Sequence, residues 1–209
     1  PFCEPTGAEG TATVSVEAGP LSWDDGTSGM IGELTSTGTI ANPDAAFAEV
    51  TDVNLTIQAD HTWVGDLELT LVSPDGTELM FLEDPCNDGN SDNADVTFDD
   101  EAGAFDCVIV AADNGNPDDC TEDYLIAAAM SGSMQTQLGS LSVFDGESAA
   151  GDWTLRLNDD AGGDGGCFYT FSVEVAWSIP SDPIPNDLVG QATATDNCGA
   201  EITFEDEST

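Results

Sequence analysis

The stretch HTWVGDLELTLVSPDGTEL, residues 61–79, contains a loop, a strand, a turn and the start of a second strand. Leu67, Leu69 and Leu71 alternate with other side chains, which is the period of a strand with one buried face. The following SPDGT has Pro and Asp-Gly in positions that favour a tight turn. The stretch therefore predicts a β-hairpin whose second strand is ELMFLE, residues 78–83.

The same alternation recurs along the chain, between turns rich in Gly and Asp. The clearest further segments are TATVSV (11–16), VTDVNLTIQA (50–59), DWTLRL (152–157) and CFYTFSVEVAW (167–177). One helix is predicted, DYLIAAAM (123–130). Many short strands separated by such turns predict an all-β fold, an antiparallel β jelly roll or sandwich of about eight to ten strands.

Composition divides the chain near its C-terminal end. Residues 1–178 carry the strand pattern and are predicted to form one domain. Residues 179–187 contain three prolines, which is typical of a linker. Residues 188–209 are too few to build a core of their own. They are interpreted as a fragment of a following repeat or as a strand exchanged with a neighbour.

Acidic residues dominate the charge: 42 Asp and Glu stand against one basic residue, Arg156, and the formal net charge is −41. Such a surface repels phosphates, so nucleic acid is excluded as a partner. No apolar run is long enough for membrane insertion. Salt screens the self-repulsion and bound divalent cations neutralise it locally, so we expect a saline, calcium-containing medium outside a cell. Arg156 is predicted to be a structural ion-pair partner.

Six cysteines without a CxxC pair, in a chain with one histidine, do not make a zinc site. Their even number predicts disulfides, and hence an oxidising, extracellular location. Cys86 and Cys107 flank an acidic segment and are predicted to form one bridge. The remaining pairings follow by elimination as Cys120–Cys167 and Cys3–Cys198. No signal peptide is visible, which indicates a processed or excised chain.

His61, beside Asp60, raises the question of a catalytic base. A hydrolase triad also needs an activated nucleophile, and the chain contains neither G-x-S-x-G nor H-E-x-x-H. Carboxylates are so abundant that a glycosidase-like pair of them is uninformative. We therefore predict no catalytic residues and no enzymatic activity. His61 is expected to hold the loop before the strand through a hydrogen bond.

Three acidic runs predict calcium sites: EDPCNDGNSDNADVTFDDEA (83–102), FDGESAAGD (144–152) and NDDAGGDGG (158–166). Ca²⁺ takes about six to eight oxygen ligands, and glycine lets the chain curl around an ion. No run has the full pattern of an EF-hand. Asp66 is a further candidate, either as a ligand or as an acceptor of backbone N–H groups. The candidate ligands are Asp66, Asp84, Asp88, Asp92, Asp95, Asp99, Asp100, Glu101, Asp145, Asp152, Asp159 and Asp164.

Three segments together resemble the proprotein convertase P domain (P/Homo B domain) in its bacterial secreted form: residues 61–79, DVTFDDEA (95–102) and LSVFDGESAAGDWTLRLNDDAGGDGG (141–166). The resemblance implies a β jelly roll that binds calcium and contains no catalytic centre. It also implies a position C-terminal to a subtilisin-like or metalloprotease domain, or among repeats of bacterial surface proteins. The tail ATATDNCGAEITF (192–204) is similar to HYR-type immunoglobulin-like repeats of secreted bacterial adhesins.

These observations predict a non-catalytic, calcium-stabilised structural or adhesion module of a large secreted or cell-surface protein. One alternative is an accessory P domain of a secreted subtilisin-like or metalloprotease. Another is a subunit of an extracellular fibre, in which the tail docks on the next copy. The expected partners are neighbouring domains or copies of the same protein, or another protein or a cell-surface polymer.

Overall fold

The computed structural model describes residues 9–22, 33–40, 48–87, 91–109, 122, 125–162 and 165–179. Within these residues the chain forms nine strands. They are β1 (Glu9–Ser22), β2 (Glu33–Ile40), β3 (Glu49–His61), β4 (Leu67–Val72), β5 (Glu78–Glu83), β6 (Ala94–Gly103), β7 (Met130–Met134), β8 (Gly151–Asp159) and β9 (Gly166–Ser178). Short 3₁₀ helices lie at Val64–Asp66 and Leu141–Phe144.

The strands form two sheets packed as a sandwich. One sheet has five strands in the order β1-β9-β3-β6-β7, and the other has four in the order β2-β8-β4-β5. The predicted all-β sandwich is confirmed. One neighbouring pair, β6 with β7, is parallel, whereas the other pairs are antiparallel. Sequence alternation does not carry strand direction, so this pair was not predicted.

The inner faces of the strands fill the core as the alternation predicted. On β4, Leu67, Leu69 and Leu71 are buried, while the residues between them are half-buried. On β8, Trp153 is buried with its ring edge-on to Phe144, at a centroid distance of 5.3 Å. Burying alternate side chains from both sheets supplies the main driving force for folding.

The hairpin between β4 and β5 has the predicted turn. Ser73 N–H donates to Thr77 O at 2.9 Å, and Gly76 N–H donates to Ser73 O at 3.0 Å. Gly76 has φ +88°, a conformation that glycine adopts without a steric penalty. The turn sets the register in which Val72 lies opposite Glu78.

The predicted helix at 123–130 is wrong for the residues that the structure describes. The chain makes a turn at residues 125 and 126, and β7 begins at Met130. Ala129 N–H donates to the carbonyls of Asp92 and Asn93, at 2.7 and 3.1 Å. These tertiary bonds replace the local ones of a helix and override the helical propensity of an alanine run.

The predicted Cys86–Cys107 disulfide is confirmed, with a Cα–Cα distance of 5.6 Å. Cys167 is also disulfide-bonded. Its predicted partner Cys120 lies outside the described residues, as do both members of the predicted Cys3–Cys198 pair.

Arg156 pairs with Glu78 at 2.9 Å on the outer face of the four-stranded sheet, and the predicted ion pair is confirmed. Both side chains are exposed, so the pair contributes little to stability. In the part of the chain that the structure describes, no helix has the length and hydrophobicity of a membrane span. Ile179 still packs against the core, and residues 180–209 lie outside the described ranges.

Candidate functional site

His61 ends β3 and is completely buried, with 0% of its surface exposed. Its Nδ1 accepts the backbone N–H of Trp63 at 3.1 Å. An acceptor at Nδ1 places the ring proton on Nε2, which donates to Asp159 Oδ2 at 3.3 Å. Asp159 is also completely buried, and its Oδ1 accepts the N–H of Ala161. The imidazole therefore ties the end of β3 to the end of β8, as the predicted structural role requires.

Asn93 connects the same strand end to the segment before β7. Its side-chain oxygen accepts His61 N–H at 3.0 Å, and its own N–H donates to His61 O at 3.0 Å. Its Nδ2 donates to Ala127 O at 3.2 Å. Asn93 has φ +66°, and asparagine tolerates this left-handed conformation better than most residues. One buried amide thus holds three segments together.

Asp60 and Tyr169 form a second buried pair beside His61. Tyr169 Oη donates to Asp60 Oδ2 at 2.7 Å and accepts the N–H of Glu122 at 3.0 Å. Burial, followed by the hydrogen bond to the Asp60 carboxylate, raises the pKa of Tyr169. The phenol therefore stays protonated and acts as a fixed donor at neutral pH.

Gly65 and Asp66 form the entry to β4. A Cβ on Gly65 would lie 2.8 Å from the Trp63 indole nitrogen, so any other residue here would have to displace the indole. Asp66 is half-buried. Its N–H donates to Trp63 O at 3.1 Å, and its carbonyl accepts the N–H of Asp160 at 3.0 Å. The backbone of Asp66 thus joins the start of β4 to the acidic loop after β8.

A first acidic cluster lies at this end of the four-stranded sheet. It comprises Glu68 on β4, Asp84 after β5, Asp159 at the end of β8, and Asp160. Asp160 is exposed. Slight desolvation of its carboxyl raises the pKa of Asp160 most, and the like charges of the other three residues raise it further. Asp84 has φ +46°. Three separate chain segments therefore bring mutually repelling carboxylates together.

A second acidic cluster surrounds the turn after the Leu141–Phe144 helix. Asp145 is exposed. Slight desolvation of its carboxyl raises the pKa of Asp145, and the charges of Asp52 and Asp100 raise it further. A hydrogen bond to Asp99, followed by the charge of Asp52, raises the pKa of the exposed Glu101. The cluster thus combines residues of β3, β6 and the turn.

Asp100 also has a structural role that the sequence did not reveal. Its Oδ1 accepts the N–H of Leu141 at 3.1 Å. Its Oδ2 accepts the hydroxyl of Ser140 at 2.6 Å and the N–H of Ser142 at 2.8 Å. A carboxylate on these groups satisfies the first donors of the 3₁₀ helix, as an N-cap side chain does.

The other predicted ligands are dispersed. Asp92 is buried before β6, Asp95 accepts Gln58 Nε2 at 3.1 Å, and Asp152 accepts the Thr39 hydroxyl on the outer face of β8. Asp88 and Asp164 lie outside the described residues. Within the described ranges, no three His, Cys, Asp or Glu side chains are placed so that they could hold a metal ion. The calcium sites therefore stay a prediction.

Three members of the clusters are not among the predicted ligands: Asp160, which lies within the acidic run 158–166, and Asp52 and Glu68, which lie outside the acidic runs. Asp52 and Glu68 lie on strands, where their alternation with buried residues indicates only an exposed face. Their approach to the acidic loops depends on the order of strands in the sheets. The acidic runs were the available signal, and they contain the remaining members.

A family model described as the proprotein convertase P-domain matches residues 50–175. The match covers more than half of the chain, so the chain belongs to the P-domain family. The resemblance in the sequence is thereby confirmed.

Among solved structures, the chain is similar to a serine protease of Aeromonas sobria, with 18% identity and a TM-score of 0.44. The comparison covers 83% of this chain and 27% of the protease. The same protease in complex with a chaperone gives 17% identity, a TM-score of 0.43 and the same coverage. The chain thus spans little more than a quarter of the length of these proteins. No curated protein matches the chain.

Proposed function

We propose that this chain is a non-catalytic, extracellular accessory module of the P-domain type, serving a secreted protease or another large secreted protein. The observation that carries the proposal is the P-domain match over residues 50–175, which spans β3 to β9. A disulfide within that match is consistent with an oxidising compartment.

The surroundings of His61 support the absence of catalysis. A general base needs a free nitrogen within reach of the substrate proton. Here the Nδ1 lone pair accepts Trp63 N–H, the Nε2 proton points to Asp159, and the ring has no exposed surface. We expect no hydrolysis when the purified chain is incubated with protein, peptide and ester substrates. An activity that survives purification but disappears in a folded His61→Ala variant would contradict the non-catalytic role.

The accessory role is tested by identifying the other domains of the protein that contains this chain, and by deleting the module from it. A subtilisin-like or metalloprotease domain in the same protein, whose melting temperature falls when this module is deleted, supports the proposal. Tandem repeats with a cell-surface sorting domain and no protease would instead support the structural or adhesive role predicted from the sequence.

We further propose that calcium stabilises the module. The support is the two acidic clusters, in each of which desolvation, and then repulsion between carboxylates, raises a pKa. Carboxylate oxygens are the ligands that Ca²⁺ prefers, and a cation would relieve this repulsion. Asp84 and Asp160 would contribute to the first site, and Asp99 and Asp145 to the second. Within the described ranges no three acidic side chains are placed around one point, so main-chain carbonyls, water or residues outside those ranges would supply the remaining oxygens. When bound, calcium would hold the loops that these residues occupy.

The calcium proposal is tested by calorimetry with Ca²⁺ or EDTA at one ionic strength. Calcium at one hundred times its dissociation constant adds about 2.7 kcal/mol, which raises the melting temperature of a chain of this size by about 5–10 °C. The double variant Asp84→Asn/Asp160→Asn should reduce the shift. Glu174→Gln, an exposed acid in the middle of β9, should leave it unchanged. No shift, together with no bound calcium by elemental analysis, would refute this part of the proposal.

A further inference from the structure

The outer face of the four-stranded sheet contains a band without net charge. Two adjacent rows of side chains cross all four strands on this face. One row is Thr35, Arg156, Thr70 and Met80, and the other is Thr37, Thr154, Val72 and Glu78. The two rows contain one cation and one anion, whereas the whole chain carries a net charge of −41. These two rows are called the neutral band below.

The neutral band is exposed to solvent. Its threonines on β2 are exposed, 42% of the surface of Met80 is accessible, and the side chains of Arg156 and Glu78 are 41% and 53% accessible. Among the described residues, Met80 is also the one exposed large apolar side chain that lies on a strand. The four strands of this sheet lie within the described ranges, so the band does not depend on the segments outside them.

The other broad face of the sandwich is acidic. On the outer face of the five-stranded sheet lie Asp52, Asp95 and Glu174, and the only Lys or Arg of the chain lies in the neutral band. Acids also border the band, where Asp152 and Glu68 share its face of the sheet. A basic partner would therefore be attracted to the surfaces around the band. The band itself suits a partner that carries the same negative charge as this chain.

We propose that the neutral band is the contact surface of a transient homodimer, in which the bands of two copies face each other about a two-fold axis. Such a contact brings the same patch of both copies together. Arg156 lies on β8 and Glu78 on β5, and β4 lies between these strands. With the axis in the plane of the contact and above β4, Arg156 of each copy lies opposite the partner's Glu78. Opposite charges then face each other at the one surface where two acidic copies can approach.

The size of the band sets the strength of the contact. Two rows of four residues on each copy are fewer than the about 20–30 residues a side of a standard interface. Repulsion between two copies of charge −41 also opposes the contact. Salt weakens this repulsion, because the Debye length falls from about 8 Å at about 0.15 M to about 3 Å at about 1 M. Dimers should therefore form at high protein concentration and become more abundant at molar salt.

The experiment is sedimentation equilibrium of the whole chain and of two single variants, Arg156→Glu and Glu78→Arg, in EDTA and at both ionic strengths. The facing bands are both negative in the first variant and both positive in the second. Each variant alone should therefore associate about tenfold or more weakly than the unmodified chain. Mixed in equal amounts, the two variants present bands of opposite charge and should form a heterodimer. The original ion pair is exposed and contributes little to stability, so both variants should keep the melting temperature of the unmodified chain.

Glu174→Arg is the matched control. It changes the net charge by the same amount as Glu78→Arg, but it lies on the opposite sheet, so it should dimerise as the unmodified chain does. The proposal needs neither calcium nor a protease, so it stands or falls separately from the proposed function.

A monomer under all conditions would overturn the proposal. So would a dimer that Arg156→Glu leaves intact, or a mixture of the two band variants that associates no more strongly than each does alone. If Glu174→Arg associated with Arg156→Glu as strongly as Glu78→Arg does, the attraction would not depend on the band, and the proposal would also be overturned.

Discussion

Replacing His61 with leucine tests whether the buried histidine is structural. The substitution removes the donor to Asp159 Oδ2 and the acceptor of Trp63 N–H. Both His61 and Asp159 are 0% exposed, so water cannot replace the lost partners. A buried carboxylate that loses its donor costs more than a neutral group does, and the loss of about 3–5 kcal/mol when one member of a buried ion pair is removed sets the scale.

The assay is thermal and urea unfolding of His61→Leu beside the unmodified chain. For a chain of this length each kcal/mol corresponds to about 2–4 °C, so the melting temperature should fall by about 6–20 °C. The double variant His61→Leu/Asp159→Leu is the control, because replacing both partners with apolar groups can be almost neutral. It should be more stable than the sum of the two single variants predicts.

Two results would refute this reasoning. A loss below about 1 kcal/mol for His61→Leu would show that the pair is dispensable, since ordinary surface changes have effects of that size. Strict additivity of the two substitutions would show that the hydrogen bond between them is not the reason for the loss.

Three further predictions concern other parts of the sandwich. Gly166→Ala should lower the free energy of unfolding in urea by about 3 kcal/mol or more, because a Cβ would lie 1.9 Å from Asp60 O and overpacking of this kind is costly. A variant as stable as the unmodified chain would contradict this prediction. Replacing both Cys86 and Cys107 with serine removes a cross-link between residues 21 positions apart. The free energy of unfolding measured with urea should fall by about 3 kcal/mol, and an unchanged urea midpoint would count against a stabilising role of the bridge. With calcium removed by EDTA, Asp160→Asn should raise the melting temperature at pH 7. The pKa of Asp160 is raised in the folded chain, so its ionised form at pH 7 destabilises the fold, and asparagine removes that charge. That gain should vanish below the ordinary Asp pKa of 3.8, and a gain equal at pH 7 and pH 3 would contradict the reasoning.

Much of the fold could be predicted from local pattern. The alternation in DLELTLV and the turn chemistry of SPDGT predicted β4, β5 and their connection, and the buried Leu67, Leu69 and Leu71 confirm the face. The helix at 123–130 failed because Ala129 bonds to Asp92 and Asn93, which are far away in sequence. Local propensity cannot include such partners.

The candidate site was predictable only in part. Loop composition identified Asp84, Asp145 and Asp159, because Asp and Gly concentrate in the loops between strands. It could not identify Asp52 or Glu68, which reach the clusters from strands.

The sequence by itself determined the class of fold, the buried faces of the strands, the acidic surface and the P-domain family, because each is written in residue type and short-range period. Only the tertiary structure decided that β6 and β7 run parallel, that His61 faces a buried Asp159, and that β1 pairs with β9 and β2 with β8. These features depend on which strands become neighbours, and that is settled by packing between segments far apart in sequence, as where Glu9 of β1 pairs with Ser178 of β9.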